Sequence, residues 1–494
     1  MAELTQAPTQ PPGPPGSVQP DERSGAGVPV SSPPPTGPID RLMSWVIRKL
    51  AWSKLSDPRV AVTISGIGLL LGMVVGATAP NTATLPTTLP LSLLPSLAGD
   101  EAHRVVTMVL LYAGDVFACL GLAGMLWAHS QGWRPQPRHL FLGSAAIVAV
   151  MVSLTPVGSS DTASYAAYGR IAAQGGNPYV STPAGWLLHH PGDGGYYRLV
   201  GGAWTHVASV YGPFATAIQR FAASIGGADA ATTIWILMIL NGAVFLAVGW
   251  LLLKTSDDPV RATLFWTANP VIIQQLVSGG HLDTFVAAAA ICAIQLARRV
   301  SGIWGDVLIG VLLGLGMGIK ATAALVALGL AWPMLRQHDW LRVTRIALAA
   351  LVVVALQYSS YGLVALKPLF EGAKLVILPS PWRLVQMVGD ALGFSTDTIA
   401  IVIGCLWPIA MIIVAWLIYQ RISSDQPAEV VAPFALTFAW ILVYPWVFPW
   451  YTAIAWVALT QVPRNRMTRW LTIVTVLLAC WHSGGGQHAP GQQV

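Results

Sequence analysis

The sequence predicts an all-α polytopic membrane protein, a bundle of about thirteen transmembrane helices whose loops outside the cytoplasm carry short helices. Apolar residues make up 54% of the 494 positions and charged residues only 10%, so a single water-soluble core could not hide the apolar surface. Apolar runs of about 17 to 25 residues recur along the chain, each long enough to cross the hydrocarbon slab. The 21 tryptophans, against 12 Phe and 12 Tyr, suit many membrane interfaces, where an indole ring is half dry and its N–H still finds a partner.

Residues 1–40 are rich in Pro, Gly and Ser, as in PTQPPGPPG, and are expected to be disordered. They lack the apolar region of a cleavable signal. The basic group Arg41, Arg48, Lys49, Lys54 and Arg59 stands before the first span and keeps the N-terminus cytoplasmic. The first span runs outward over 59–77, the second returns over 105–128 towards Arg134 and Arg138, and the third goes out over 139–156. Pro156 and Gly158 then release the chain into a long polar loop. Residues 207–223 are interrupted by Gly212-Pro213 and by Gln219 and Arg220, and read as a membrane-edge or partial helix.

Residues 231–253 run inward to Lys254 and Arg261, and 262–278 run outward to the turn Gly279-Gly280-His281-Leu282-Asp283. The next span ends at Arg298 and Arg299. Residues 303–319 lead out to Lys320, and 321–335 lead in to Arg336, Arg342 and Arg345. A span ending near Gly362 opens a second outer loop, 364–396. The remaining spans put Arg421 inside, Pro449-Trp450-Tyr451 outside, and Arg464, Arg466 and Arg469 inside. The tail after His482 reads as disordered. Most basic clusters fall on the cytoplasmic side, so the net charge of +6 is a topology signal, not a nucleic-acid surface. The four cysteines, Cys119, Cys292, Cys405 and Cys480, lie in apolar runs without CxxC or Cys/His spacing and read as buried thiols.

This bookkeeping gathers Asp161, the Asn177-Pro178-Tyr179 turn, His281, Asp283, Lys320, Trp382, Arg383 and Trp450-Tyr451 on one face. Asp161 lies in SSDTASYAAYGRIAAQGGNPY, followed by Tyr165, Tyr168 and Arg170. An ionisable group at the edge of the hydrocarbon is a functional candidate by default. A carboxylate can deprotonate an incoming hydroxyl, a Lys or Arg at headgroup depth can hold a phosphate, and rim aromatics can stack on sugar faces. The pattern points to glycosyl transfer from a polyprenyl-phosphate sugar. No GxGxxG after a strand and no GxxxxGK[ST] is present to hold a soluble nucleotide. Nor is there a DxD or HExxH, so no cofactor is called for and a divalent metal is not demanded.

The run TPVGSSDTASYAAYGRIAAQGGNPY, the turn Val210-Tyr211-Gly212-Pro213, Ala268-Asn269-Pro270 with Gly279-Gly280-His281-Leu282-Asp283, the step Gly318-Ile319-Lys320-Ala321, and Pro449-Trp450-Tyr451 occur in order. In this the chain resembles the actinobacterial polyprenol-phosphomannose-dependent α-1,6-mannosyltransferases, integral membrane enzymes of the GT-C type. The resemblance runs over most of residues 60–480 and implies a GT-C transmembrane domain, set here at 41–482. It further implies a polyprenyl-phosphomannose donor, a mannan or lipoglycan acceptor, membrane lipid as partner, and an active site facing outward from the plasma membrane. Asp161 matches the family's acidic residue in the first large outer loop, the expected base.

On this reading Asp161 is catalytic. Lys320, Arg170 and Arg383 bind donor phosphate, and Tyr165, Tyr168, Tyr179, His281, Asp283, Trp450 and Tyr451 bind sugar or acceptor. Each has a plainer alternative. Asp161 is also a favoured N-cap for a helix over 162–173, and His281 with Asp283 suits a structural hydrogen bond. Lys320 is placed to snorkel, Arg170 to pair with a carboxylate, Arg383 and Lys374 to be loop charges, and Trp450-Tyr451 to anchor in an aromatic belt. Asn177-Pro178-Tyr179 is placed to shape its loop. Polyprenyl-phospho-arabinose is an alternative donor. A lipid or sugar transporter is the alternative class, and it calls for mid-span charges and internal repeats; no clear repeat is visible, and most charges stand at span ends.

Overall fold

Aspartate followed by proline, or aspartate alone, starts several of the long helices. Asp57 accepts a hydrogen bond from Arg59 N ahead of Pro58–Ala77, Asp100 accepts from His103 N ahead of Glu101–Ser130, and Asp229 accepts from two amides ahead of Ala230–Thr255. These carboxylates satisfy amide donors that the first turn leaves without an intrahelical partner. The computed structural model describes residues 57–372, 374–378, 380–422 and 426–482, apart from the side chain of residue 203. The expectations for 1–40, for the basic flank before 57 and for 483–494 therefore lie outside the described residues.

Among the described residues the regular structure is all helical, apart from one isolated antiparallel bridge between Thr84 and Val157. Among the described residues, five helices are long and apolar enough to cross a membrane: Pro58–Ala77, Glu101–Ser130, Ala230–Thr255, Trp340–Ser359 and Thr396–Arg421. Four shorter apolar helices join them, Pro137–Met151, Ile303–Met317, Ala323–Arg336 and Ala428–Val443. The expected span over 139–156 stops as a helix at Met151. Beyond it, hydrogen bonds from Leu91 N to Ser153 O and from Thr155 N to Ser92 Oγ hold the chain in a turn.

The segment 207–223 leads into Pro213–Gly226, a helix of 14 residues that runs three residues past it. At 1.5 Å per residue it is about 21 Å long, short of the hydrocarbon thickness. It lies against Asp161–Ala173 so closely that a Cβ on Gly169 would stand 2.3 Å from the Gln219 carbonyl oxygen. Only glycine fits there.

The continuous span expected over 262–278 is instead broken into Pro259–Phe265, Pro270–Ile272 and a π-helical turn, Ile273–Val277. Asn269 makes the break: its side chain accepts from Val271 N and Ile272 N, while Pro270 contributes no donor. Residues 269–284 are buried without exception, and irregular backbone at such a place is tolerated because protein surrounds it. The reading of four buried thiols holds for Cys119 alone; Cys405 is exposed, and Cys292 and Cys480 are half-buried.

Candidate active site

Gly158 and Val157 tie the loop before Asp161 to the rest of the fold, through Gly158 N to Ala83 O at 2.8 Å and Val157 N to Ser278 O at 3.1 Å. Gly158 has φ +84°, a left-handed conformation that glycine adopts without steric cost. The helix then starts at Asp161 itself, with Ser160 in the cap position and no side-chain cap. The capping role considered for Asp161 is thus corrected. Its Oδ2 accepts from the Tyr165 hydroxyl, one turn on, at 3.2 Å, and lies 3.3 Å from His281 Nδ1. The contact is an ion pair when the His281 ring is protonated. The Asp161 side chain keeps 27% exposure while Tyr165 and His281 are closed off, so the carboxylate is the part of this group that an arriving molecule can reach.

His281 comes from the turn after the π-helical segment. Thr162 Oγ1 donates to Gly279 O at 2.9 Å, and Asn241 Nδ2 donates to His281 O, which fixes that turn against the start of Asp161–Ala173. Trp450 covers the imidazole, stacked 3.7 Å away at 10°, and Phe448 stacks on Trp450 at 4.8 Å. At 2% exposure Trp450 is the wall behind His281; it neither anchors in a headgroup belt nor offers an open sugar platform.

Lys320 follows the end of Ile303–Met317 and reaches Asp283 Oδ2 at 2.6 Å, with both side chains largely buried. Its ammonium lies 4.6 Å from the Tyr451 ring centre and 5.6 Å from that of Tyr211. Tyr211 meets Tyr165 edge-on at 4.9 Å, so one chain of contacts joins Lys320, Tyr211, Tyr165 and Asp161. Backbone bonds from Gly212 N to Ile319 O and from Phe214 N to Gly318 O hold the two straps together.

Burial presses the Asp161 carboxyl upward, but the His281 contact, the His281 and Lys320 charges and the Tyr165 hydroxyl outweigh it, leaving the group below its ordinary value. It is ionised at neutral pH. Burial, reinforced by the Asp161 charge, drives the Tyr165 phenol well upward, so that hydroxyl stays a donor. Among the described residues no group of three or more His, Cys, Asp or Glu side chains is arranged to hold a metal ion.

Other expected members stand elsewhere. Arg170 lies nine residues along the helix, about 13 Å from Asp161 by helical rise, and pairs with Asp193 at 2.9 Å. Arg383 is exposed and bonded to Gln386 at 2.8 Å. Tyr168 donates to Val207 O, and the Tyr179 hydroxyl bonds to Thr216 Oγ1, so both buried phenols brace the loop. Three residues escaped the sequence reading. Tyr211 was visible only within a turn motif. His482 stands in the sequence at the edge of a polar tail. Asp115, in the middle of Glu101–Ser130, is buried and accepts from Gln275 Nε2 of the π-helical turn at 2.9 Å. A single acid within LLYAGDVFACLGL was the available signal.

Against known proteins, residues 59–336 match the family described as Alpha-(1->6)-mannopyranosyltransferase, N-terminal domain. The chain is 22% identical over 452 residues to Alpha-(1->6)-mannopyranosyltransferase A of Corynebacterium glutamicum, covering 76% of this chain and 89% of that protein. It is 27% identical over 193 residues to Alpha-(1->6)-mannopyranosyltransferase A of Mycobacterium tuberculosis, covering 38% of this chain and 36% of that one. No solved structure matches. The family match spans more than half of the chain and takes in Asp161, His281, Asp283 and Lys320, so the chain belongs to the alpha-(1->6)-mannopyranosyltransferase family and is a glycosyltransferase.

Proposed function

We propose that the protein is an inverting, multi-pass membrane glycosyltransferase of the GT-C type. It moves mannose from a polyprenyl-phosphate donor to a mannan or lipoglycan acceptor and forms an α-1,6 linkage on the extracytoplasmic side. The observation that carries this reading is the reachable Asp161 carboxylate, backed by His281 and Tyr165 and joined through Tyr211 to Lys320.

The acceptor hydroxyl meets Asp161, which takes its proton as the oxygen attacks the anomeric carbon. A new C–O bond forms there while the bond to the lipid phosphate breaks, and the electron pair leaves with the phosphate. Attack from the opposite face turns a β-linked donor into an α-linked product. Protonated Asp161 would lose its contact with His281, so the carboxyl, still open to water, gives the proton up to solvent and the site resets. Lys320 supplies positive charge near the departing phosphate, in surroundings dry enough for that charge to count.

The test uses purified protein with radiolabelled polyprenyl-phosphomannose and a short α-mannoside. The parental enzyme yields an elongated α-1,6 product, and Asp161→Asn reduces the rate at least a hundredfold, the scale of a lost general base. Elongation by Asp161→Asn at the parental rate defeats the proposal, as does sugar crossing vesicles without a new glycosidic bond.

A further inference from the structure

His482 ends the Met467–His482 helix and is buried, at 4% exposure. It lies more than three hundred residues after Asp161 in sequence, yet it touches both supports of the Asp161–His281 pair. Its Nε2 stands 3.0 Å from Gly158 O. A carbonyl oxygen only accepts, so this ring must carry its proton on Nε2. Gly158 is three residues ahead of Asp161. The same ring meets Trp450 edge-on at 4.8 Å and Phe448 edge-on at 5.4 Å, and Trp450 is the plate against which His281 stacks.

We propose that His482 is a positioning residue: by donating to Gly158 O, from beside the Trp450–His281 stack, it sets the separation of the Asp161 carboxylate and the His281 ring. This rests on the reading of Asp161 as the base. The loop through Gly158 has no regular structure, and its amide side is already tied to Ala83 O. His482 ties its carbonyl side to a helix that is itself pinned, two turns earlier, by Trp456 Nε1 donating to Thr475 Oγ1 at 2.9 Å. A support mounted on a rigid helix holds a reacting group to tolerances that a free loop does not. Packing alone gives no reason for a histidine here. A phenylalanine would fill the same space against Trp450 and Phe448 without burying a polar ring.

Two variants separate the roles. His482→Phe keeps the ring and loses the donor; His482→Gln keeps an amide N–H at the corresponding reach and loses the ring. Both are assayed with radiolabelled polyprenyl-phosphomannose and a short α-mannoside, beside Asp161→Asn, with the thermal midpoint recorded for each. The expected result is a kcat on the order of tenfold lower in His482→Phe, with KM for the donor within about twofold and the midpoint unchanged, and recovery of at least half of parental kcat in His482→Gln. Parental kcat in His482→Phe overturns the inference. So does an equal loss in both variants, or a loss expressed in KM or in the midpoint. If Asp161→Asn is itself fully active, the underlying reading fails, and that outcome is distinguishable from failure of the His482 proposal alone.

Discussion

Lys320 and Asp283 meet where both side chains are nearly dry, so each offsets the other's charge where water cannot. Removing one partner strands the second. Lys320→Met is expected to destabilise the protein by about 3 to 5 kcal/mol, while Lys320→Met with Asp283→Leu recovers most of the loss in thermal unfolding and stays inactive. The Asp161 carboxyl gives a prediction in pH. Held below its ordinary value, it keeps its charge as pH falls, and the acid limb of kcat/KM, which reports the free enzyme, lies below the usual carboxylate pKa of about 4. His281→Ala removes a group that holds it down and moves that limb to higher pH, readable in a pH–rate profile even where the rate is reduced. The sequence singles out Asp161 because an acid at the edge of an apolar run is costly, and the fold brings His281 and Tyr165 to it. That Arg170 pairs with a carboxylate is one of its two readings, but which carboxylate is not legible, since Asp193 lies 23 positions away and nothing local marks it. His482 was hidden for a similar reason: its partner Gly158 is brought near only by the fold.

Helix against helix, the tightest point is Gly169 of Asp161–Ala173 on the backbone of Pro213–Gly226. Gly169→Val has no side chain to yield to it, only main chain. It should cost about 1 to 3 kcal/mol, seen as a lowered thermal midpoint, and should lower kcat as well, because the helix that bears Asp161 must tilt to make room. The partial character of 207–223 was legible from Gly212-Pro213. The break inside 259–277 was less so. An apolar run has the same composition whether its backbone is one helix or three fragments, and Asn269-Pro270 was the signal that deserved more weight. A side chain that caps and a ring that cannot donate together outweigh hydrophobicity.

At the scale of the molecule, helical class and membrane character were legible from composition, but the count of about thirteen spans was not. Runs such as 303–319 and 321–335 fold as helices of 15 and 14 residues, about 21 to 23 Å by helical rise, where hydropathy alone registers a crossing. Labelling decides the sidedness of the proposal. In a cysteine-free background, Leu188→Cys and Leu363→Cys, both strongly exposed, should react with an impermeant maleimide added to intact cells. Ser301→Cys, in the exposed turn at the other end of Asp283–Arg299, should react only after permeabilisation. Equal labelling of all three in intact cells would contradict the outward site. The ammonium of Lys320, finally, is already spoken for before any lipid arrives. On the proposed function a diester entering the site would carry one negative charge and have little power to draw it from Asp283; the monoester left behind would carry nearly two, and pull harder. The lysine would then lean towards the lipid mainly while the sugar is departing, with Asp283 placed to reclaim it so that the spent carrier can leave.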